Sequence, residues 1–128
     1  VLPFATLELA QRLRIGFRQW RGARSAQERR HIEARILNDA GILGHYVTDA
    51  ANPAHTTIHF NGWKGPNPNG YATDSRFHSR FESGFVQAAI RYDDIRSLVP
   101  RAARVFPDLR TAILAHIAES HARVEPMY

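Results

Sequence analysis

From Pro3 to Trp20, the apolar residues Phe4, Leu7, Leu9, Leu13, Ile15, Phe17 and Trp20 recur close to helical spacing, with Glu8, Gln11, Arg12, Arg14 and Arg18 between them. The spacing predicts a helix that stops near Gly22. Ser25-Ala26-Gln27-Glu28 then has the form of a capping box, in which serine and glutamate satisfy orphan amides at a helix start. A long helix is expected to follow, with Ile32, Ile36, Leu37, Ala40, Leu43 and Val47 inward, Gly41 and Gly44 permitting close approach of a neighbour, and an end near Asn52-Pro53. Residues 53–73 hold a dense run of proline and glycine and are expected to form a loop. Thr73 or Asp74 can cap the next helix, with Phe77, Phe81, Phe85, Ala88 and Ala89 on one face until about Tyr92. Asp93 and Asp94 suit a new start, Pro100 disturbs the stretch from Ile95 to Phe106, and Pro107 fits the first position of a last helix. That helix is expected to run to about Arg123 with Leu109, Ile113, Leu114 and Ile117 inward. No strand pattern or repeat appears, so the chain is expected to be all-α, a single domain over residues 1–128 built as a bundle of four to five helices.

Composition narrows the chemistry. The 128 residues contain no cysteine, so a metal here would be held by imidazole and carboxylate, which suits zinc or another borderline metal. No apolar run is long enough for a transmembrane helix, and the Val1-Leu2-Pro3-Phe4 start lacks a basic leader region. The formal charge of +5 favours phosphates, nucleic acid or anionic lipid only weakly. Arg12, Arg14, Arg18, Arg21, Arg24, Arg29, Arg30 and Arg35 concentrate where solvated helix faces are expected, which names no partner by itself.

The seven histidines are more informative. His45 and Asp49 are four apart on the long helix, so they project from one face and can chelate one ion. His55 follows at the corner after Pro53, and His78 with Glu82 repeats the spacing of four on another helix. A lone pair of this kind is commonly an exposed, weakly stabilising ion pair, but two pairs set within apolar stripes would be costly to bury without a shared partner. His59, four residues past His55, can approach from the loop, whereas His31, His116 and His121 read as surface or core residues. Trp63 and Tyr71 are candidates for substrate binding, or equally for anchoring the loop to the core.

The segment His45-Tyr46-Val47-Thr48-Asp49-Ala50-Ala51-Asn52-Pro53-Ala54-His55 closely resembles the His-Tyr-x-Gly/Thr-Asp-x-x-x-Pro-x-His signature of bacterial zinc-dependent phospholipase C, shared more loosely by the S1/P1 nucleases. Phe77-His78-Ser79-Arg80-Phe81-Glu82 is similar to their Phe-His-Ser-Lys-Tyr-Glu segment, and Leu2-Pro3-Phe4-Ala5 to the Ile-Pro-Phe-Ala before an earlier helix. The resemblance spans roughly residues 1 to 90. It implies that His45 binds the first zinc of a close pair, that Asp49 serves the first and third metals and so has the catalytic part of holding their separation, and that His55, His78 and Glu82 hold the second. Two such ions activate water and neutralise charge at the leaving oxygen. Glutamate at position 82 resembles the phospholipase branch and leans the substrate toward phospholipid.

The departures from the family pattern are also specific. An upstream aspartate and histidine that complete the first zinc, and an N-terminal tryptophan and histidine that bind the third, have no counterpart here, so one or two zinc ions are expected rather than three. Ala51 and His59 stand where the phospholipase pattern has other residues. The resemblance further implies an internal portion of a longer hydrolase, secreted or periplasmic, or else a reduced natural member with one complete zinc site. Its expected partner is a phospholipid or another phosphate ester, with single-stranded nucleic acid as the substrate of the nuclease alternative. A non-catalytic helical module stabilised by zinc and a basic nucleic-acid-binding bundle without metal are the remaining readings, and the oligomeric state is open.

Overall fold

The computed structural model describes residues 2–128. The chain is all-α, as its periodicity predicts, and among the described residues the β-structure amounts to a single isolated bridge between Phe60 and Gly62. The helices are α1 (Leu2–Gly22), α2 (Ala26–Ala51), α3 (Phe77–Ser79), α4 (Val86–Ala89), α5 (Tyr92–Leu98), α6 (Leu109–His121) and α7 (Val124–Met127). A 3₁₀ turn covers Pro53–Thr56, and a π turn, Arg80–Phe85, joins α3 to α4 without a break. None of the described helices is long and apolar enough to cross a membrane. Contacts cluster into two units, residues 1–52 with 108–120, and residues 53–107 with 121–128.

In the first unit, α1 and α2 form an antiparallel hairpin. Trp20 Nε1 donates to Glu33 Oε1 at 2.7 Å, Arg35 donates to Gln19, and Gly16 faces Ile36. The Ser25 cap forms as predicted: Ser25 Oγ accepts from Glu28 N at 3.1 Å. The reciprocal bond reaches one residue further back than expected, from Arg24 N to Glu28 Oε2 at 2.9 Å. Asn52 takes an extended conformation (φ −87°, ψ 118°) because the proline after it disfavours the helical region, and α2 ends there. The buried face of α2 is Ile32, Ile36, Asp39 and Ala50. Leu37 is 72% exposed and Val47 41%, against expectation, and on α1 Phe4, Ile15 and Phe17 are exposed too. Periodicity locates apolar side chains, but burial also needs a neighbour over them. Gly41 and Gly44 admit no close neighbour, since a side chain added at either would meet nothing within 4 Å; the close approach is at Gly16 instead. The arginines from Arg12 to Arg35 are exposed, as expected of solvated faces.

α6 begins later than predicted. Asp108 caps it, accepting from Thr111 N at 3.2 Å and Thr111 Oγ1 at 2.6 Å, which leaves Pro107 outside the helix. These bonds hold the Asp108 carboxyl below its ordinary pKa. The helix ends at His121 rather than Arg123; Ile113 is buried as predicted, but Leu114 is 49% exposed. His116 donates from its ring to the Val47 carbonyl at 3.3 Å.

In the second unit, the helix expected to run from Asp74 to Tyr92 starts at Phe77 and ends at Ala89, because Ile90 turns extended (φ −104°, ψ 128°). Its Phe81–Phe85 face packs on itself, with the rings stacked at 6.3 Å, and Phe85, Ala88 and Ala89 are exposed. Asp94 receives the Arg91 N–H at 2.9 Å, so α5 starts where the acidic pair predicted. α7 packs on the 3₁₀ turn, with Val124, Pro53 and Ala54 buried.

Candidate metal centre

The 3₁₀ turn after Pro53 presents His55. Thr56 Oγ1 closes the turn on the Pro53 carbonyl at 2.8 Å, and His121 Nδ1 lies 3.0 Å from the Thr56 carbonyl, so a histidine read as a surface or core residue braces the corner as a donor. His78 and Glu82 come from α3 and the π turn. The start of α3 is fixed by Asp74, whose carboxylate accepts the Arg76 N–H at 2.8 Å and pairs with Arg80 at 3.0 Å. The Arg76 backbone N–H is the main reason that this carboxyl lies below its ordinary pKa.

These elements bring three of the five predicted ligands together. His55 Nε2 lies 3.2 Å from His78 Nε2 and 2.9 Å from Glu82 Oε1, while His78 Nε2 lies 3.0 Å from Glu82 Oε2. One ligand atom from each residue falls within 4.8 Å of the others. The side chains of His55 and His78 are about three-quarters withdrawn from water, at 26% and 25% exposed. His45 and Asp49 lie in the first unit as a pair on one face of α2, Nε2 to Oδ2 at 3.3 Å.

The donor set fits a small divalent cation. Zinc–nitrogen bonds of about 2.0–2.1 Å in a tetrahedron put two ligating nitrogens about 3.3 Å apart, close to the separation of the two rings. The His78 ring makes the same point independently. Its Nδ1 lies 3.2 Å from the Phe60 carbonyl, which can only accept, so Nδ1 carries a proton. Its Nε2 can then meet Glu82 only with a second proton or with a cation between them. The orientation of His78 by a backbone carbonyl is the arrangement that fixes the tautomer of a metal-ligating imidazole.

Sequence alone could not reveal that carbonyl. Phe60 and Asn61, whose Oδ1 accepts the His78 N–H at 3.3 Å, sit in the loop and carry no ligand signature. The loop doubles back at Gly62, with φ of +90°, and closes through a bond from Trp63 N to the Ala72 carbonyl at 2.8 Å. His59 belongs to the loop's own framework: Nδ1 accepts from Lys64 N at 3.0 Å, and its ring stacks on Trp63 at 3.8 Å. Trp63 also packs against Tyr71 at 4.5 Å, and the Tyr71 hydroxyl donates to Glu125 at 3.1 Å, so both aromatic residues anchor the loop. Trp63 additionally lines an open cleft of about 620 Å³ with Thr56, Thr57, His59, His121 and Glu125.

The fold and site thus define an all-α chain with a preassembled His-His-Glu group. Compared with protein-family models, curated proteins and solved structures, the chain matches none.

Proposed function

We propose that the chain is a zinc-dependent hydrolase of phosphate esters, with phospholipid as the favoured substrate class and His55, His78 and Glu82 as zinc ligands. The observation that carries this reading is the convergence of two imidazole nitrogens and one carboxylate within 4.8 Å. The resemblance of residues 45–55 and 77–82 to zinc-dependent phospholipase C supports the choice of metal and of substrate. A bound zinc supplies Lewis acidity and a water made acidic enough to attack phosphorus near neutral pH. The protein's own part is geometric. The Phe60 carbonyl holds the His78 ring, Glu82 brings a negative charge between the two histidines, and the buried Pro53-Ala54 corner fixes the base of His55. His45 and Asp49 supply the partial ligand set of a second ion.

The test is zinc titration followed by native mass spectrometry, together with zinc-dependent hydrolysis of an activated phosphodiester and of phosphatidylcholine vesicles. At least one zinc per chain is expected, lost in His78→Ala, with hydrolysis that is slow but disappears in the same variant. Slow turnover is expected of a three-ligand zinc that works without a second ion to stabilise the leaving oxygen. Absence of zinc binding to the parent protein, or turnover indifferent to His78→Ala, would refute the proposal.

One observation favours a second reading, a zinc that only stabilises. The ligands come from a turn and a helix 23 residues apart, so one ion staples them together. That reading predicts bound zinc, no turnover, and loss of helical circular dichroism on chelation.

A further inference from the structure

Tyr128 donates its hydroxyl to the His59 carbonyl, and its ring lies flat on Phe77, with centroids 4.1 Å apart and planes 4° from parallel. It also meets the Trp63 ring edge-on at 5.5 Å. The first two partners are the chain neighbours of the two groups that set the direction of His78. His59 precedes Phe60, whose carbonyl receives the His78 Nδ1–H, and Phe77 precedes His78 itself. One side chain therefore grips the loop that supplies the acceptor and the helix that supplies the ring, one residue away on each side.

We propose that Tyr128 is a positioning residue of the metal site, setting the His78 imidazole through the His59-Phe60 backbone and the Phe77 ring. The proposal rests on the reading of His78 as a zinc ligand. An imidazole turns freely about its last side-chain bond unless its second nitrogen is held, and a usable site tolerates a drift of only about 10–20°. The Phe60 carbonyl provides that hold only while the loop and α3 keep their spacing. Tyr128 touches both, and it adds to the direct tie made by Asn61 Oδ1, which accepts the His78 N–H at 3.3 Å. Burial raises its pKa, outweighing the opposing Gly62 backbone N–H, so the hydroxyl remains a donor. Docking of α7 does not depend on this hydroxyl, because Val124 is buried and Glu125 is held by Tyr71.

The experiment measures zinc affinity by competition with a chromophoric chelator, and the ¹⁵N resonances of His78 in zinc-free protein, for the parent, Tyr128→Phe and Tyr128→Leu. Tyr128→Phe keeps the ring stack and the fold. Removing a direct hydrogen-bond partner of a ligand typically weakens metal binding about 10- to 100-fold. Tyr128 acts one residue further out, so about a 3- to 10-fold loss is expected for Tyr128→Phe, and more for Tyr128→Leu. The His78 Nδ1 resonance is expected to shift in both. Ser25→Ala, which weakens a helix cap in the first unit, serves as a control expected to lower the thermal midpoint without changing zinc affinity. If the Tyr128 variants behave like that control, with parental affinity and unchanged His78 resonances, the proposal is overturned. If the parent binds no zinc, the ligand reading fails separately, and the His78 resonances still decide whether Tyr128 orients the ring.

Discussion

Gly16 and Gly41 are both interior to long helices, yet replacing each with alanine should change stability in opposite directions. In an exposed helix interior, alanine is more favourable than glycine by about 0.5–1 kcal/mol, because glycine loses more backbone freedom on folding. At Gly41 nothing lies within 4 Å of an added Cβ, so Gly41→Ala should gain most of that amount. At Gly16 the same atom would stand 2.8 Å from Ile36 Cγ1 and 3.5 Å from Ile36 Cδ1. Cγ1 is one bond from the Ile36 Cβ, and a β-branched side chain in a helix has essentially one free rotamer, so it cannot swing away. Overpacking of this kind costs about 1–3 kcal/mol, which equals or exceeds the propensity gain, and Gly16→Ala should be destabilising by up to about 2.5 kcal/mol. Urea denaturation followed by far-ultraviolet circular dichroism would measure both. Combining Gly16→Ala with Ile36→Ala should recover part of the loss relative to the sum of the single changes, because the clash has been removed. Equal stabilisation by Gly16→Ala and Gly41→Ala would show that α1 and α2 do not approach at Gly16, and would refute this account of the hairpin.

Two further outcomes are expected. Gly62→Ala combines a left-handed backbone with an added Cβ only 2.5 Å from the Thr73 carbonyl oxygen, so the loop must open and carry the Phe60 carbonyl away from His78. Zinc affinity measured by chelator competition should fall about 10-fold or more, and parental affinity would contradict the role given to that carbonyl. The Asp108 carboxyl has a folded pKa below its ordinary value of 3.8, so its cap stabilises α6 fully above that pH and is lost as pH falls through the lower folded value. Urea midpoints taken between mildly and strongly acidic pH should show a weaker acid dependence in Asp108→Ala than in the parent. Asp74, depressed in the same direction, should supply part of what remains.

The elements most legible in the sequence were those whose ends are written in side-chain chemistry. Ser25 and Glu28 mark the start of α2, Pro53 marks its end, and the four-residue spacing of His78 and Glu82 survives into a shared group. The π turn was not legible, because it arises from a shift of one residue in backbone hydrogen bonding and Ser83-Gly84 merely permits it. Burial was legible only in part. Ile32 and Ile36 lie inward because α1 covers them, whereas Leu37 and Leu114 share the apolar pattern without a cover. The hold on His78 escaped the sequence altogether, since a carbonyl donated by Phe60 and a brace from Tyr128 leave no trace in local spacing.

The division of the chain into two units also separates its two tryptophans, Trp20 in the first and Trp63 in the second. Each indole sits in a distinct setting: Trp20 under the Arg29 guanidinium at 5.1 Å with its N–H on Glu33, and Trp63 between His59 and Tyr71. The molecule thereby carries its own pair of optical probes. With Trp20→Phe the remaining fluorescence follows the metal-bearing unit alone, and with Trp63→Phe it follows the helical hairpin. Melting curves of the two variants would reveal whether the ligand corner can loosen while α1 and α2 stay folded.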